Sequence, residues 1–168
     1  MAIKPNYQRD LNPKNNTTLH VIPQVMTCSA DEFIFAANYV QSLGYKELNW
    51  NLGCPYPMVT NKGMGSGLIK DPAKIDNILD RVHQETDLIV SMKMRMGYND
   101  PREILDVFPV LNKYPIKNIG IHARIGAQLY EGGTDLDSFQ RCIDQCDQKL
   151  YYNGDITSVA IFESLTER

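Results

Sequence analysis

The sequence is short of the residues that would tie it to several common classes of protein. Cysteine is scarce: Cys28, Cys54, Cys142 and Cys146 are the only ones in 168 residues, and none stands in a CxxC pair. That spacing argues against a structural zinc site, so no metal is expected and the thiols read as reduced, in a reducing compartment. Positive charge is not in excess either. With 17 Lys and Arg against 20 Asp and Glu, the formal charge is -3. Bulk electrostatic capture of nucleic acid is therefore excluded, and a polynucleotide partner needs a local patch or sequence beyond these residues. No apolar run reaches the length of a membrane span, and the start from Met1 to Asp10 lacks a signal-peptide core. The expectation is a cytoplasmic protein without a membrane partner. No low-complexity tract or linker divides the chain. Its length suits one domain with a real core, read as an irregular polar segment over 1–18 and a folded domain over 19–168.

What is present is a repeat of strand, loop and helix. The first strand is expected over Leu19 to Met26, and Ser29 with Glu32 forms a capping box that opens a helix carrying Phe33, Ala36, Ala37, Val40 and Leu43 up to Gly44. The second strand leads to Cys54, and Asp71 with Pro72 starts the next helix, with Ile75, Ile78, Leu79 and Val82 as its buried stripe. A third strand spans about Leu88 to Met96. Its helix starts near Asp100 and Pro101, and Pro109 is expected to end or kink it. A fourth strand over Asn118 to Arg124, a long loop over Ile125 to Leu136, a helix with Phe139, Cys142 and Ile143, a fifth strand over Lys149 to Asn153 and a helix over Ser158 to Thr166 complete the pattern. Such alternation implies a parallel sheet, either doubly wound or closed as a barrel.

The segment from Glu47 to Ile69 carries most information. Leu48, Trp50 and Leu52 alternate with Asn49, Asn51 and Gly53, so one face of the strand is apolar and the other carries amides. The strand delivers Cys54 into a loop where Pro55 and Pro57 stop a helix from starting and Gly63, Gly65 and Gly67 allow shapes and close approaches that a side chain blocks. An active-site thiol sits in such a place; the plainer alternative is a connecting loop with a buried cysteine. Counting alternate positions along every strand, polar residues recur near the C-terminal ends: Gln24, then Asn49 and Asn51, then Ser91, Lys93 and Arg95, then His122 and Arg124, then Asn153 and Asp155. Val90, Met92 and Met94 take the opposite face, so Lys93 and Arg95 point inward. An inward charge is costly unless it meets a ligand or a counter-charge. Repetition of the pattern strand after strand matches the catalytic mouth of a TIM barrel, although the residues could instead satisfy one another in a polar core. The fold class is therefore α/β, of (βα)8 TIM-barrel type. A complete barrel takes roughly 200 to 250 residues, so about five βα units make a partial barrel.

These residues resemble a family, the tRNA-dihydrouridine synthases. The likeness runs from about Pro23 onward and rests on Pro23 and Gln24, on Asn49 through Pro55 with the glycines at 63, 65 and 67 followed by Leu68 and Ile69, on Lys93 to Arg95, on His122 to Arg124 with Gln128 to Gly132, and on Asn153 to Ile156. The resemblance implies a barrel holding FMN, which NADPH or NADH reduces, and reduction of a uridine in tRNA to dihydrouridine. It places FMN contacts at Gln24, Lys93, His122, Asn153, Gly154 and Asp155. It makes Asn51 a uracil contact, Arg95 and Arg124 substrate contacts, and Cys54 the catalytic acid. Against the family pattern, two leading strands, the last barrel strand with its phosphate anchor and the C-terminal helical domain are not expected within these 168 residues, and unpaired sheet edges would allow self-association.

The chemistry suits those residue types. Hydride delivery to C6 of uracil builds negative charge at C5, which must collect a proton, and an ordinary thiol is mostly protonated at neutral pH and can supply it. A lysine aimed at the N1 and C2 carbonyl edge of a reduced flavin stabilises its charge. Asn51 offers the donor and the acceptor that a uracil edge needs. Lys93 could instead be neutralised by Asp155, and His122 could be a satisfied core histidine. Two other functions share these features: an FMN barrel acting on a free pyrimidine, of the dihydroorotate dehydrogenase kind, and an inactive fragment serving as an interaction module.

Overall fold

The computed structural model describes residues 1–167, so the expected domain over 19–168 ends just outside them. Five parallel strands form one sheet: β1 (Gln24–Val25), β2 (Glu47–Leu52), β3 (Ile89–Gly97), β4 (Ile116–Ile125) and β5 (Leu150–Asn153), in the spatial order β1-β2-β3-β4-β5. Each strand lies beside its predecessor in the chain, and a doubly wound sheet would instead reverse direction at an inner strand. The connecting helices α2 (Ala30–Ser42), α4 (Pro72–Glu85), α5 (Glu103–Leu111) and α6 (Leu136–Gln145) pack neighbour on neighbour along one face. This is an arc of a TIM barrel, and among the described residues the outer edges of β1 and β5 carry no further strand.

The core lies between sheet and helices. Leu48, Trp50, Leu52, Val90, Met92, Met94, Ile119 and Ile121 are buried against Phe33, Ala37, Ile75, Leu79, Ile104 and Phe108. Trp50 meets Phe33 edge to face with centroids 5.5 Å apart, and its Nε1 donates to the Thr27 carbonyl at 3.0 Å. Helix starts follow the sequence signals. Ser29 accepts from the Glu32 amide and Asp71 from the Lys74 amide, but the expected capping box is only half formed, since the Glu32 carboxylate accepts from the Thr27 hydroxyl and the Ser29 amide donates to that same hydroxyl; Asp135, which no sequence signal marked, caps α6 by accepting from Ser138. Gly44, at φ 92°, ends α2 in the left-handed conformation that glycine favours.

The structure corrects four expectations. The first strand is only Gln24–Val25, because Pro23 has no N–H to give, although its carbonyl accepts from the Asn49 amide, and Leu19, His20 and Ile22 before it lie exposed. The segment over 1–18 contains α1 (Pro5–Asp10), opened by Pro5 at its first position. In the glycine-rich loop Pro57 does not stop a helix but starts one, α3 (Pro57–Thr60), since the first turn needs no proline N–H. Finally, α5 begins at Glu103, two residues after Pro101, and does not end at Pro109 but continues to Leu111. The last helix, expected over Ser158 to Thr166, is α7 (Val159–Thr166), with Ser158 just before it as the cap that accepts from the Ile161 amide.

Candidate active site

Register turns the alternating polar residues into rungs on the sheet face opposite the helices. Gln24 pairs with Asn49 and Asn49 with Ser91; Asn51 pairs with Lys93 and Lys93 with Gly120; Arg95 pairs with His122 and His122 with Asn153. Residues level in adjacent parallel strands face the same way, so eight of the expected inward residues share one surface. Above it lies a cleft of about 380 Å³, lined by Gln24, Asn49, Ser91, Lys93 and Asn153 among others.

The lower rung is a chain of amides. Gln24 donates to Asn49 Oδ1 at 2.8 Å and accepts from Asn51 Nδ2 at 2.8 Å, while Asn49 donates to Ser91 Oγ at 3.0 Å. Asn51 Oδ1 in turn accepts from the backbone amides of Gly53, at 2.9 Å, and Cys54, at 3.1 Å. The side chain therefore shapes the turn that presents the thiol. From the other side, the Cys54 carbonyl accepts from the Ser66 amide at 3.0 Å and from its hydroxyl at 3.1 Å. Gly65 makes that contact possible: at φ 56°, a Cβ there would lie 2.4 Å from the Cys54 oxygen.

Lys93 is half-buried, and among the described residues no carboxylate pairs with it. Burial, then the charge of Arg95, lowers its pKa. Asp155, weighed as its partner from sequence, instead binds Arg124 through both carboxylate oxygens. That bidentate pair holds the Asp155 carboxyl down at about 2.

The upper rung is organised by two buried arginines. Arg95 Nη1 donates to the carbonyls of Ile125, at 2.7 Å, and Leu129, and its guanidinium lies 5.0 Å from the centre of the Tyr130 ring. Arg95 Nη2 is buried with no partner among the described residues. Leu129 sits at φ 51°, an unusual conformation for a bulky residue, and Gln128 straps the same loop by donating to the carbonyls of Glu131 and Gly133 at 2.7 and 2.9 Å. Arg124 Nη2 donates to the Gly132 carbonyl at 2.7 Å, and Nη1 lies 3.0 Å from His122 Nε2. Burial, followed by the charges of Arg95, Lys93 and Arg124, pulls the His122 imidazole down to about 4. Gly154 is required beside it, because a Cβ there would come within 2.8 Å of the imidazole carbon Cδ2.

The structure thus brings Gln24, Asn49, Asn51 and Lys93 onto one surface with Arg95, His122 and Asn153, and Cys54 onto the turn that Asn51 holds. It engages both terminal nitrogens of Arg124 within the chain, leaving only a buried Nε for any ligand. Sequence reasoning gave no role to Ser66, Gln128 or Tyr130. The first was legible only as part of a glycine-rich run. The other two were quoted in a motif, but their loop contacts depend on a left-handed leucine that no local signal announces.

Comparison with known proteins agrees with this geometry. A model of the family described as dihydrouridine synthase (Dus) matches residues 2–168. The chain belongs to the dihydrouridine synthase family. Among curated relatives, tRNA-dihydrouridine synthase B of Pasteurella multocida (strain Pm70) is 30% identical over 136 residues, covering 80% of this chain and 41% of that protein. The protein of the same name from Pseudomonas syringae pv. tomato is 33% identical over 124 residues, covering 73% of this chain and 37% of its own. A probable tRNA-dihydrouridine synthase of Rickettsia bellii is 26% identical over 146 residues, covering 86% of this chain and 45% of its own. The chain therefore spans about two fifths of the length of the curated relatives it matches. No helix among the described residues is long and apolar enough to cross a membrane.

Proposed function

We propose that the chain supplies the catalytic face of a flavin-dependent oxidoreductase that reduces a uridine in tRNA to dihydrouridine. The observation that carries this reading is the level pairing of Asn51, which holds the Cys54 turn, with the unpaired Lys93 over an open cleft, in a member of this family. The donor set fits FMN: the Lys93 amine, which meets no carboxylate among the described residues, the Gln24 amide, and His122, Asn153 and Gly154 at the far rung can meet the polar edge of a flavin ring. When bound, FMN supplies the two reducing electrons, drawn from NADPH or NADH.

The chain's own residues do the rest. Lys93 sets a positive charge in the cleft where negative charge develops. Cys54 gives its Sγ proton to C5 of the uracil as a general acid. Asn51 fixes the turn that aims the thiol and keeps one amide proton for the base. Arg95 acts from beneath the surface: Nη1 holds the 125–129 loop, and the buried Nη2 adds positive charge behind the substrate position without touching it. Arg124 and Asp155 back this rung. The reading includes tRNA as the partner and the cytoplasm as the site of action. It also includes self-association through the outer edges of β1 and β5, which sedimentation velocity reads directly: a dimer supports it and a monomer at all concentrations removes it.

The decisive experiment is a visible absorption titration of the chain with FMN. Saturable perturbation of the flavin bands, weakened by Lys93→Ala, supports the reading. No perturbation in this chain or in a longer one carrying the same residues overturns it. Formation of dihydrouridine in tRNA by an active form, abolished by Cys54→Ala, then tests the general acid; unchanged turnover in that variant removes Cys54 from the role.

A further inference from the structure

Arginine is a donor only, so whatever atom its N–H groups meet must accept. Arg124 is buried on β4, and both terminal nitrogens are committed. Nη2 serves Gly132 O and one oxygen of Asp155; Nη1 serves the other oxygen of Asp155 at 2.7 Å and approaches His122 Nε2 at 3.0 Å. The bidentate pair with Asp155 holds the guanidinium plane, so Nη1 cannot turn away from the imidazole. A protonated Nε2 would set two N–H groups head to head. Nε2 must therefore carry the lone pair, and in a neutral ring the proton then resides on Nδ1. We infer that Arg124, locked by Asp155, is a positioning residue that fixes His122 as its Nδ1–H tautomer, so that His122 faces a ligand as a neutral hydrogen-bond donor.

Three further observations agree. The ring hydrogen bond of His122 within the described residues is made at Nε2, which leaves the Nδ1 proton for a ligand. The opposite edge of the ring is closed: a Cβ at position 154 would lie 2.8 Å from Cδ2 and 3.2 Å from Nε2, so glycine there lets the backbone seal the edge that Arg124 occupies. The charged and ring groups facing His122 are Lys93 and Arg95 from β3, Arg124 from its own strand, Asp155 beyond β5, and the Tyr130 ring at 6.1 Å. Three cations against one carboxylate disfavour an imidazolium, which would donate from both nitrogens. The tautomer is a property of this chain alone; its use toward a flavin or a base rests on the function proposed above.

The test is a two-bond ¹H–¹⁵N correlation spectrum of the histidine side chains in the ¹⁵N-labelled 168-residue protein, recorded from pH 8 to pH 5. The His122 signals are identified by their disappearance in His122→Gln, which separates them from His20 and His83. Expected is a pyrrole-type Nδ1 and a pyridine-type Nε2, unchanged across the range. An Nε2–H pattern, or titration with the ordinary midpoint of about 6.5, overturns the inference. In Arg124→Leu the single tautomer is expected to give way to a mixture. A folded variant that keeps pure Nδ1–H shows that Arg124 does not set it and overturns that role. Should that variant not fold, the wild-type spectrum alone still decides the tautomer. Failure of the FMN titration leaves this result untouched, so the two readings fail separately.

Discussion

Leu48, Trp50 and Leu52 are shut off from solvent beneath the helices, whereas Asn49 and Asn51, one residue away on the same strand, commit their amides to Gln24, Ser91 and the Cys54 turn. The same contrast runs through β3, where Met92 and Met94 pack in the core while Lys93 between them carries a charge with no counter-ion among the described residues. One face is held by apolar contact and tolerates no polar group without a partner. The other is held by hydrogen bonds, keeps a charge at some cost in stability and leaves room for a ligand. The pleat lets a single strand serve both purposes.

Variants can break or sharpen that contrast, here in falling order of their effect on stability. Trp50→Ala should cost about 3–5 kcal/mol, read by urea denaturation, because it empties the contact with Phe33; a loss below about 1 kcal/mol would mean that the helix face is not the principal core. Gly65→Ala should cost about 1–3 kcal/mol, since it places a side chain at φ 56° against the Cys54 carbonyl. It should also change the rate at which the Cys54 thiol reacts with a disulfide reagent, and an unaltered rate would argue that Gly65 does not shape the turn.

Acidity separates the faces without a mutation. The pKa of His122 is depressed to about 4 in the folded chain, against about 6.5 when unfolded, so between these values only the unfolded chain takes up the proton. Its contribution to stability is thus fully present above the ordinary value and declines as pH falls toward about 4. His122→Gln should remove that part of the pH dependence, as followed by denaturant midpoints. Asp155, held at about 2 by Arg124, contributes in a lower window, above its ordinary carboxyl value, and loses the contribution as pH falls through about 2.

Two variants of the polar face should leave the fold intact. Lys93→Met should keep or raise the denaturation midpoint by removing a partly buried charge, while weakening FMN binding about tenfold, or ~1.4 kcal/mol. A large loss of stability instead would make Lys93 structural. Cys54→Ala should shift stability by less than about 1 kcal/mol yet abolish dihydrouridine formation in an active form of the protein. Equal turnover would place the proton source elsewhere.

Much of this arrangement is legible in the chain because its signals are local. The caps at Ser29 and Asp71, the alternation in β2 and β3 and the inward set from Gln24 to Asn153 follow from periods and from short polar side chains beside helix starts. The errors fall where two local signals compete. Pro57 both breaks and begins helices, and Pro23 shortens β1 at an edge where no neighbour compensates.

Sequence by itself determined the α/β class, the partial barrel, the sided strands, the candidate thiol and lysine, and the family resemblance, since each depends on residues close together or on a repeating period. Only the tertiary structure decided which carboxylate meets which cation. Asp155 lies 31 residues from Arg124 and falls to it, not to Lys93. Register likewise set Asn51 level with Lys93 and His122 level with Arg95. Such pairings depend on how strands slide and loops fold back across the sheet, and an ion pair or hydrogen bond over that separation leaves no periodic trace in the chain.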